Sequence, residues 1–273
     1  MSKKSVSVVD PSDELPARVV HSWTKRKHHY LDRYMDIFSV GMKKWPRRAY
    51  VDLFAGPGRC YEEESGDFYD GSPLLAFDHP FTDHIYVDLN GATAEALERR
   101  SARHRRSRNV TVMEGDCNSR IDQVVKLLPK DGITLAFIDP TNWQVRFPAI
   151  RKLAASGRVD LIVSFFAGMM QRVTHLEEQP KLDAFFGTHA WKTDTRFQDS
   201  RGRPSMSGLL ACYREQLTTI GYLDAMAGRE LAVRNSVNRT MYLITFFSKH
   251  PRGFDFWDKI TSEDERGQLA IDW

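Results

Sequence analysis

Five short runs, AYVDLF (49–54), HIYVDL (84–89), VTVME (110–114), ITLAFID (133–139) and VDLIVSF (159–165), are apolar on both faces and alternate with longer, helix-like stretches. Strands of this kind must be covered on two sides, which the crossover helices of a parallel α/β sheet achieve. Near the end of the chain, RELAVRN (229–235) and TMYLITFF (240–247) flank the turn-like NSVNR and read as an antiparallel hairpin. A first helix is expected over 22–44, ahead of the first strand. Residues 166–228 read as a helical insertion, in which SGLLACYREQLTTIG (207–221) runs to a capping glycine. Residues 1–21 offer little to bury and read as a flexible arm, leaving 22–273 as the folded domain.

Composition limits what such a domain can be. With 273 residues and 41% hydrophobic content the chain can bury a full core. No run approaches the roughly 18 apolar residues of a membrane span, and the start MSKKSVSVVDPSDEL does not resemble a signal peptide, so a cytoplasmic protein is expected. Cys60, Cys117 and Cys212 are widely spaced and odd in number, which argues against a disulfide framework and against a zinc site, so no metal is expected. The formal charge of +3 is too small to imply nucleic-acid binding by itself.

The chemistry concentrates at strand ends. VDLFAGPGR (51–59) is a strand running into a glycine turn, with a helix expected after it. Open α/β sheets bind ligands at such turns, where the backbone can be approached without interference from side chains. A dinucleotide fingerprint would need a third glycine at 61, and Tyr61 stands there. The second strand ends at Asp88, suited to accepting hydrogen bonds from both hydroxyls of a ribose. The third runs into Gly115-Asp116-Cys117, which puts Asp116 beside a base, and the fourth into Asp139-Pro140 at the pocket mouth. With Asp52 inside the first strand, four neighbouring strands bring carboxyl groups toward one site. The set favours S-adenosylmethionine over NAD, ATP or flavin, with Phe54, Gly56 and Gly58 in the turn under its methionine portion.

The strand plan, five alternating strands and then a hairpin, is that of the Rossmann-like class I methyltransferase fold, a mixed seven-stranded α/β sheet with an insertion before the last two strands. KHHYLDRY (27–34), VDLFAGPGR, DGSPLLAF (70–77), FIDP (137–140) and FFSKHPRGFDFW (246–257) together resemble the three-Cys-motif partner protein family over roughly 23–260. That resemblance implies a radical-SAM-like companion protein that carries the three cysteines. A smaller subset, KH, AGPGR, GSP and IDP, is similar to a bacterial family that methylates adenine N6 in large-subunit ribosomal RNA. By that similarity His28, Ser72, Asp88, Asp116 and Cys117 line the cofactor pocket and Asp139 is the catalytic acceptor residue.

The residues also support a reading of their own. Ser72, with Pro73 after it, can cap a helix whose free NH groups suit the methionine carboxylate. An exocyclic amine needs a carboxylate and a carbonyl to accept its hydrogens, for which Asp139 and the Pro140 backbone are placed. Amino-methyltransferases continue the motif as DPP and an aromatic, whereas this chain reads DPTNW, with Asn142 at the aromatic position and Trp143 one place later. Cytosine C5 chemistry needs a nucleophilic cysteine, typically after proline, and none is present.

Two basic clusters, KKWPRR (43–48) and RRSARHRRSR (99–108), are expected at the amino edge of the sheet, opposite the cofactor. Trp191, Arg196, Arg201 and Arg203 of the insertion are better placed to contact substrate, or else form a structural cap. Two functions follow: a methyltransferase acting on the amine of a DNA or RNA base, or a partner protein with a methyltransferase fold that supports a companion enzyme.

Overall fold

The computed structural model describes residues 7–104, 109–166, 168, 176–224 and 229–262. In chain order the elements that build the main sheet are β3 (Arg48–Asp52), β6 (Asp83–Asp88), β7 (Val110–Glu114), β8 (Ile133–Ile138), β9 (Val159–Phe166), β10 (Leu231–Arg234) and β11 (Thr240–Phe247). They lie side by side as β10-β11-β9-β8-β3-β6-β7. The first five strands are mutually parallel; β11 runs antiparallel to both β9 and β10. This is the Rossmann-like class I methyltransferase arrangement. The order reverses at β3, which pairs with β8 on one side and β6 on the other, so the crevice at the carboxyl ends of β3 and β8 is the switch point where open sheets take ligands.

Period-two alternation divides the core into two layers. Tyr50, Tyr86, Phe137 and Ile162 face α1 (Ser22–Gly41) and the last helix, whereas Val51, Ile85, Ala136 and Leu161 face the opposite helices. All six residues of β8 are buried, which is why the run carries no polar alternation. On α1 the inward stripe is Lys27, Leu31, Tyr34 and Phe38, spaced four, three and four residues apart, the i, i+4, i+7, i+11 pattern of one helical face. The stripe therefore has a lysine at its site end.

Residues 7–20 correct the expectation of a loose arm. β1 (Ser7–Asp10) and β2 (Leu15–Val20) form a hairpin, and β2 pairs in parallel with β4 (Arg59–Glu62), which pairs with β5 (Phe68–Asp70). Ion pairs join the burial of Leu15, Ala17 and Cys60 in fixing this second sheet. Arg59 holds Asp10 at 2.9 Å and Asp70 at 2.7 Å, and Arg100 holds Asp13 at 2.7 Å while donating to the carbonyl of Pro57 at 2.6 Å. The glycine turn is thus followed by a strand of a second sheet and not by the expected helix.

Two charged regions have structural work. Arg100, from the second basic cluster, is 4% exposed on α3 (Gly91–Ala102), and residues 105–108 of that cluster lie outside the described residues. In the first cluster Arg47 pairs with Asp83, and Arg48 donates to the carbonyls of Pro80 and Trp45. Within the insertion, α6 (Gln179–Phe186), α7 (Ala190–Thr193) and α8 (Met206–Thr218) pack Phe185, Phe186, Trp191 and Tyr213 into one aromatic cluster on Phe165 of β9. Trp191 is fully buried and donates to Asp183; Arg196 pairs with Asp194 and Glu215, and Arg203 with Asp199. Trp191 fills the cap role, while the paired Arg196 and Arg203 side chains stay 63% and 58% exposed. No helix of the described residues is long and apolar enough to cross a membrane.

Candidate active site

Two adjoining chambers open at the switch point. The larger, about 350 Å³, is lined by Phe54, Gly56, Asp88, Leu89, Asp116 and Cys117 among others, and its volume falls within the range of small-molecule sites. The smaller, about 150 Å³, is lined by Trp23, Lys27, His28, Gly58, Ser72 and Tyr242 among others. Arg18, Phe54, Pro57, Asp139 and Thr141 line both, so the chambers meet at the carboxyl end of β8.

The glycine turn gives the larger chamber its floor. Gly56 has φ of +63°, and a side chain there would meet only the Arg18 Cδ at 3.9 Å, so this glycine opens the backbone to the chamber. Gly58, at φ of +85°, differs: a Cβ would press on Leu97 at 3.0 Å and Leu74 at 3.1 Å, so it also serves packing.

Asp88 lines the larger chamber but already does local work. Its Oδ2 accepts from the Gly56 amide at 2.8 Å, and its Oδ1 accepts from the Asn90 amide at 2.9 Å and the Thr93 hydroxyl at 2.5 Å. Three of roughly four acceptor positions on the carboxylate are filled, which leaves room for one sugar hydroxyl rather than the expected two. Beside it Leu89 is 70% exposed, an apolar wall without cover. Asp116 caps α4 (Cys117–Leu127) by accepting from the Asn118 amide at 3.2 Å. Cys117 is buried in the chamber wall, and burial pushes its thiol up to about 12, so it stays protonated.

Asp52 corrects the sequence reading. It is fully buried and lines neither chamber; its carboxylate turns back to accept from the Phe54 amide at 3.0 Å and the Ser72 hydroxyl at 2.6 Å. Burial raises it to about 7, against the hydrogen bonds from Ser72 and Phe54. Asp52 braces the turn from behind. Ser72 is corrected with it: the helix start is α2 (Ser72–Leu75), four residues long, and Gly71 occupies its capping position while the Ser72 hydroxyl is spent on Asp52.

At the junction, Asp139 pairs through Oδ2 with the Lys27 ammonium, whose side chain is 4% exposed and which also sits 4.4 Å from the centroid of the Tyr242 ring. Burial works to raise the Asp139 carboxyl, but the Lys27 charge and hydrogen bond, with Arg18 beyond, outweigh it and hold the group below the ordinary carboxylate range. Its Oδ1 is buried without a well-formed hydrogen bond; the nearby Ser164 hydroxyl, buried and equally unpaired, helps to lower the carboxyl. His28, next to Lys27, is buried and has no partner on Nδ1; burial first, then the Lys27 charge, depresses it to about 3, so it is neutral.

The residues after Asp139 turn away. Pro140 is buried and Asn142 lines neither chamber, and Trp143 is buried against Phe185 at 5.4 Å between ring centroids. Thr141, which lines both chambers, takes the place expected of Asn142, while Trp143 inserts into the core. Sequence reasoning missed Lys27, Arg18 and Tyr242. A lysine within the apolar stripe of α1 was the readable signal for the first.

No protein-family model matches the chain, so the resemblance to three-Cys-motif partner proteins finds no support there. No curated protein matches it. Among solved structures it is similar to protein LPL1258 from Legionella pneumophila, of the family model DUF519, with a TM-score of 0.51 at 13% identity over 91% of this chain and 94% of that one. It is also similar to an O-methyltransferase from Bacillus cereus in complex with SAH, at a TM-score of 0.48 and 11% identity over 82% of this chain and 81% of that one. TYW2 of M. jannaschii in complex with AdoMet gives 0.44 at 9% identity, over 92% and 90%. At these identities the likeness is one of fold.

Proposed function

We propose that the protein is an S-adenosylmethionine-dependent methyltransferase acting on the amino group of a nucleic-acid base. One observation carries the reading: a carboxylate held ionised, Asp139, stands where the two chambers meet, with Oδ2 on Lys27 and Oδ1 buried beside the Ser164 hydroxyl without a well-formed hydrogen bond. A buried acceptor without such a bond is costly, and the N–H of an amine entering the junction satisfies it.

The residues present fit the cofactor. The larger chamber offers Asp88 for a sugar hydroxyl, Leu89 as an apolar wall for a base and Asp116 at its end; the smaller continues past Gly58. When bound, S-adenosylmethionine would supply a methyl group on a positively charged sulfur. Asp139 accepts a hydrogen bond from the amine and holds its lone pair in one direction, which is the alignment that a direct displacement needs. Lys27 keeps Asp139 ionised and fixed. Tyr242 and Trp23 border the smaller chamber and supply the aromatic surface on which a base pulled from its stack can rest, in place of Trp143.

The second reading, a cofactor-binding partner for a companion protein, is favoured by the withdrawal of Asn142 and Trp143 from the junction. Transfer of tritiated methyl from labelled cofactor to RNA, DNA and protein pools separates the two. Label in a nucleic-acid pool that is lost in Asp139→Asn supports the methyltransferase; cofactor binding with no transfer to any pool supports the partner.

A further inference from the structure

Three cationic side chains line the smaller chamber. Lys27 is neutralised by Asp139, and Arg59 by Asp10 and Asp70. Arg18 is half-buried on β2 and lines both chambers; its side chain makes no hydrogen bond or close ion pair with the described residues, and its charge reaches Asp139 only at longer range. Its Cδ lies 3.9 Å from where a Gly56 side chain would stand, and its charge acts on Asp139, His28 and Cys60, so the guanidinium faces the cleft. A guanidinium kept in a cleft without a partner is prepared for a planar anion, which it can grip through two parallel N–H donors.

Resting on the cofactor reading above, we infer that Arg18 receives the terminal carboxylate of the cofactor's methionine portion. That carboxylate is the only anionic group of the ligand, and the other charged receivers in reach are occupied, while His28, unpartnered on Nδ1, is neutral and can add a hydrogen bond but no charge. The helix start expected to take it is too short, and its serine is bound to Asp52. The Lys27 charge is spent on Asp139. A substrate phosphodiester is the less suitable anion, because Arg18 lies over the glycine turn, under which the cofactor reading places the methionine portion. The second sheet is then part of the binding site: β2 delivers the charge, and the ion pairs of Arg59 and Arg100 keep β2 in place.

The test is titration calorimetry of the full-length protein and Arg18→Gln with two ligands: S-adenosylhomocysteine, and 5′-methylthioadenosine, which keeps the nucleoside and thioether but lacks the amino-acid tail. Loss of a charge-assisted pair predicts that Arg18→Gln weakens S-adenosylhomocysteine by about ten- to a hundredfold and 5′-methylthioadenosine by less than about twofold. Arg18→Lys should recover part of the loss and melt with the wild type, and Arg18→Gln should stay folded with at most a small drop in melting midpoint, since it removes only the long-range support of Asp139. Equal loss of both ligands, or no loss of either, overturns the assignment. Unchanged S-adenosylhomocysteine affinity with weaker binding of a nucleic-acid oligomer also overturns it, by moving Arg18 to the substrate side. If the wild type binds neither nucleoside, the cofactor reading itself fails, and the assignment of Arg18 with it.

Discussion

Lys27→Met removes one half of the buried pair and leaves the other in place. The Lys27 side chain is 4% exposed and Asp139 14%, so the carboxylate left behind has little water to turn to. Breaking a buried pair by removing one partner costs about 3–5 kcal/mol, and the residual exposure of Asp139 places this case at the lower end, about 3 kcal/mol. For a domain of this size each kcal/mol moves the melting midpoint by about 2–4 °C, so a drop of roughly 6–12 °C is expected near pH 8. The pH dependence is the sharper part of the expectation. In the wild type the Asp139 carboxyl is held below its ordinary value, so its contribution is present above the unfolded value and is lost as pH falls through the folded one. In the variant, burial acts without Lys27 and raises the group, so the penalty is present at high pH and is relieved as protonation sets in. The difference in midpoint between wild type and variant should therefore shrink from pH 8 to pH 5, as followed by thermal melts monitored by circular dichroism. A shift under about 2 °C, or one equal at both pH values, would refute the claim that Lys27 compensates a buried charge.

Other outcomes follow from the same geometry. Asp52→Asn should flatten the pH dependence of stability between about pH 4 and 7, because burial raises Asp52 to about 7 and its contribution is lost as pH rises through that value; urea midpoints across the range check it. Asp160, buried and raised to about 7 in the same way, should give a second step of the same sign that Asp160→Asn removes. Gly58→Ala should cost more than Gly56→Ala, about 2–4 against about 1–2 kcal/mol in urea unfolding, since both carry positive φ but only Gly58 also meets packed leucines. Asp139→Asn should abolish methyl transfer while changing the affinity for S-adenosylhomocysteine by no more than about threefold, because it acts on the acceptor; a large loss of affinity would place it in cofactor binding instead.

The main sheet was legible because its strands are short apolar runs covered on both faces, and the structure places β7 and β11 on the residues the pattern marks, 110–114 and 240–247. The second sheet was not. SVVD and LPARVV are short, Pro16 interrupts the second, and beside the burial of Leu15 and Ala17 they are held by Arg59 on Asp10 and Arg100 on Asp13, pairs 49 and 87 residues apart. Such distant partners leave no periodic trace. The strand-end acids were visible by position, but their orientation was not: Asp52 and Asp88 begin similar turns, and only the first is buried behind its turn. Asn142 was misplaced for a related reason, since the burial of Trp143 against Phe185 depends on an insertion 40 residues later in the chain, a distance on the order of a helix pair that local pattern cannot span.

A crystal structure of the protein with S-adenosylhomocysteine would test the account most directly. The nucleoside should occupy the larger chamber with one sugar hydroxyl on Asp88 and its base against Leu89, the tail should enter the smaller chamber, and the sulfur should lie between Phe54 and Asp139. A ligand bound elsewhere, or a cleft that stays empty at saturating ligand, would contradict it.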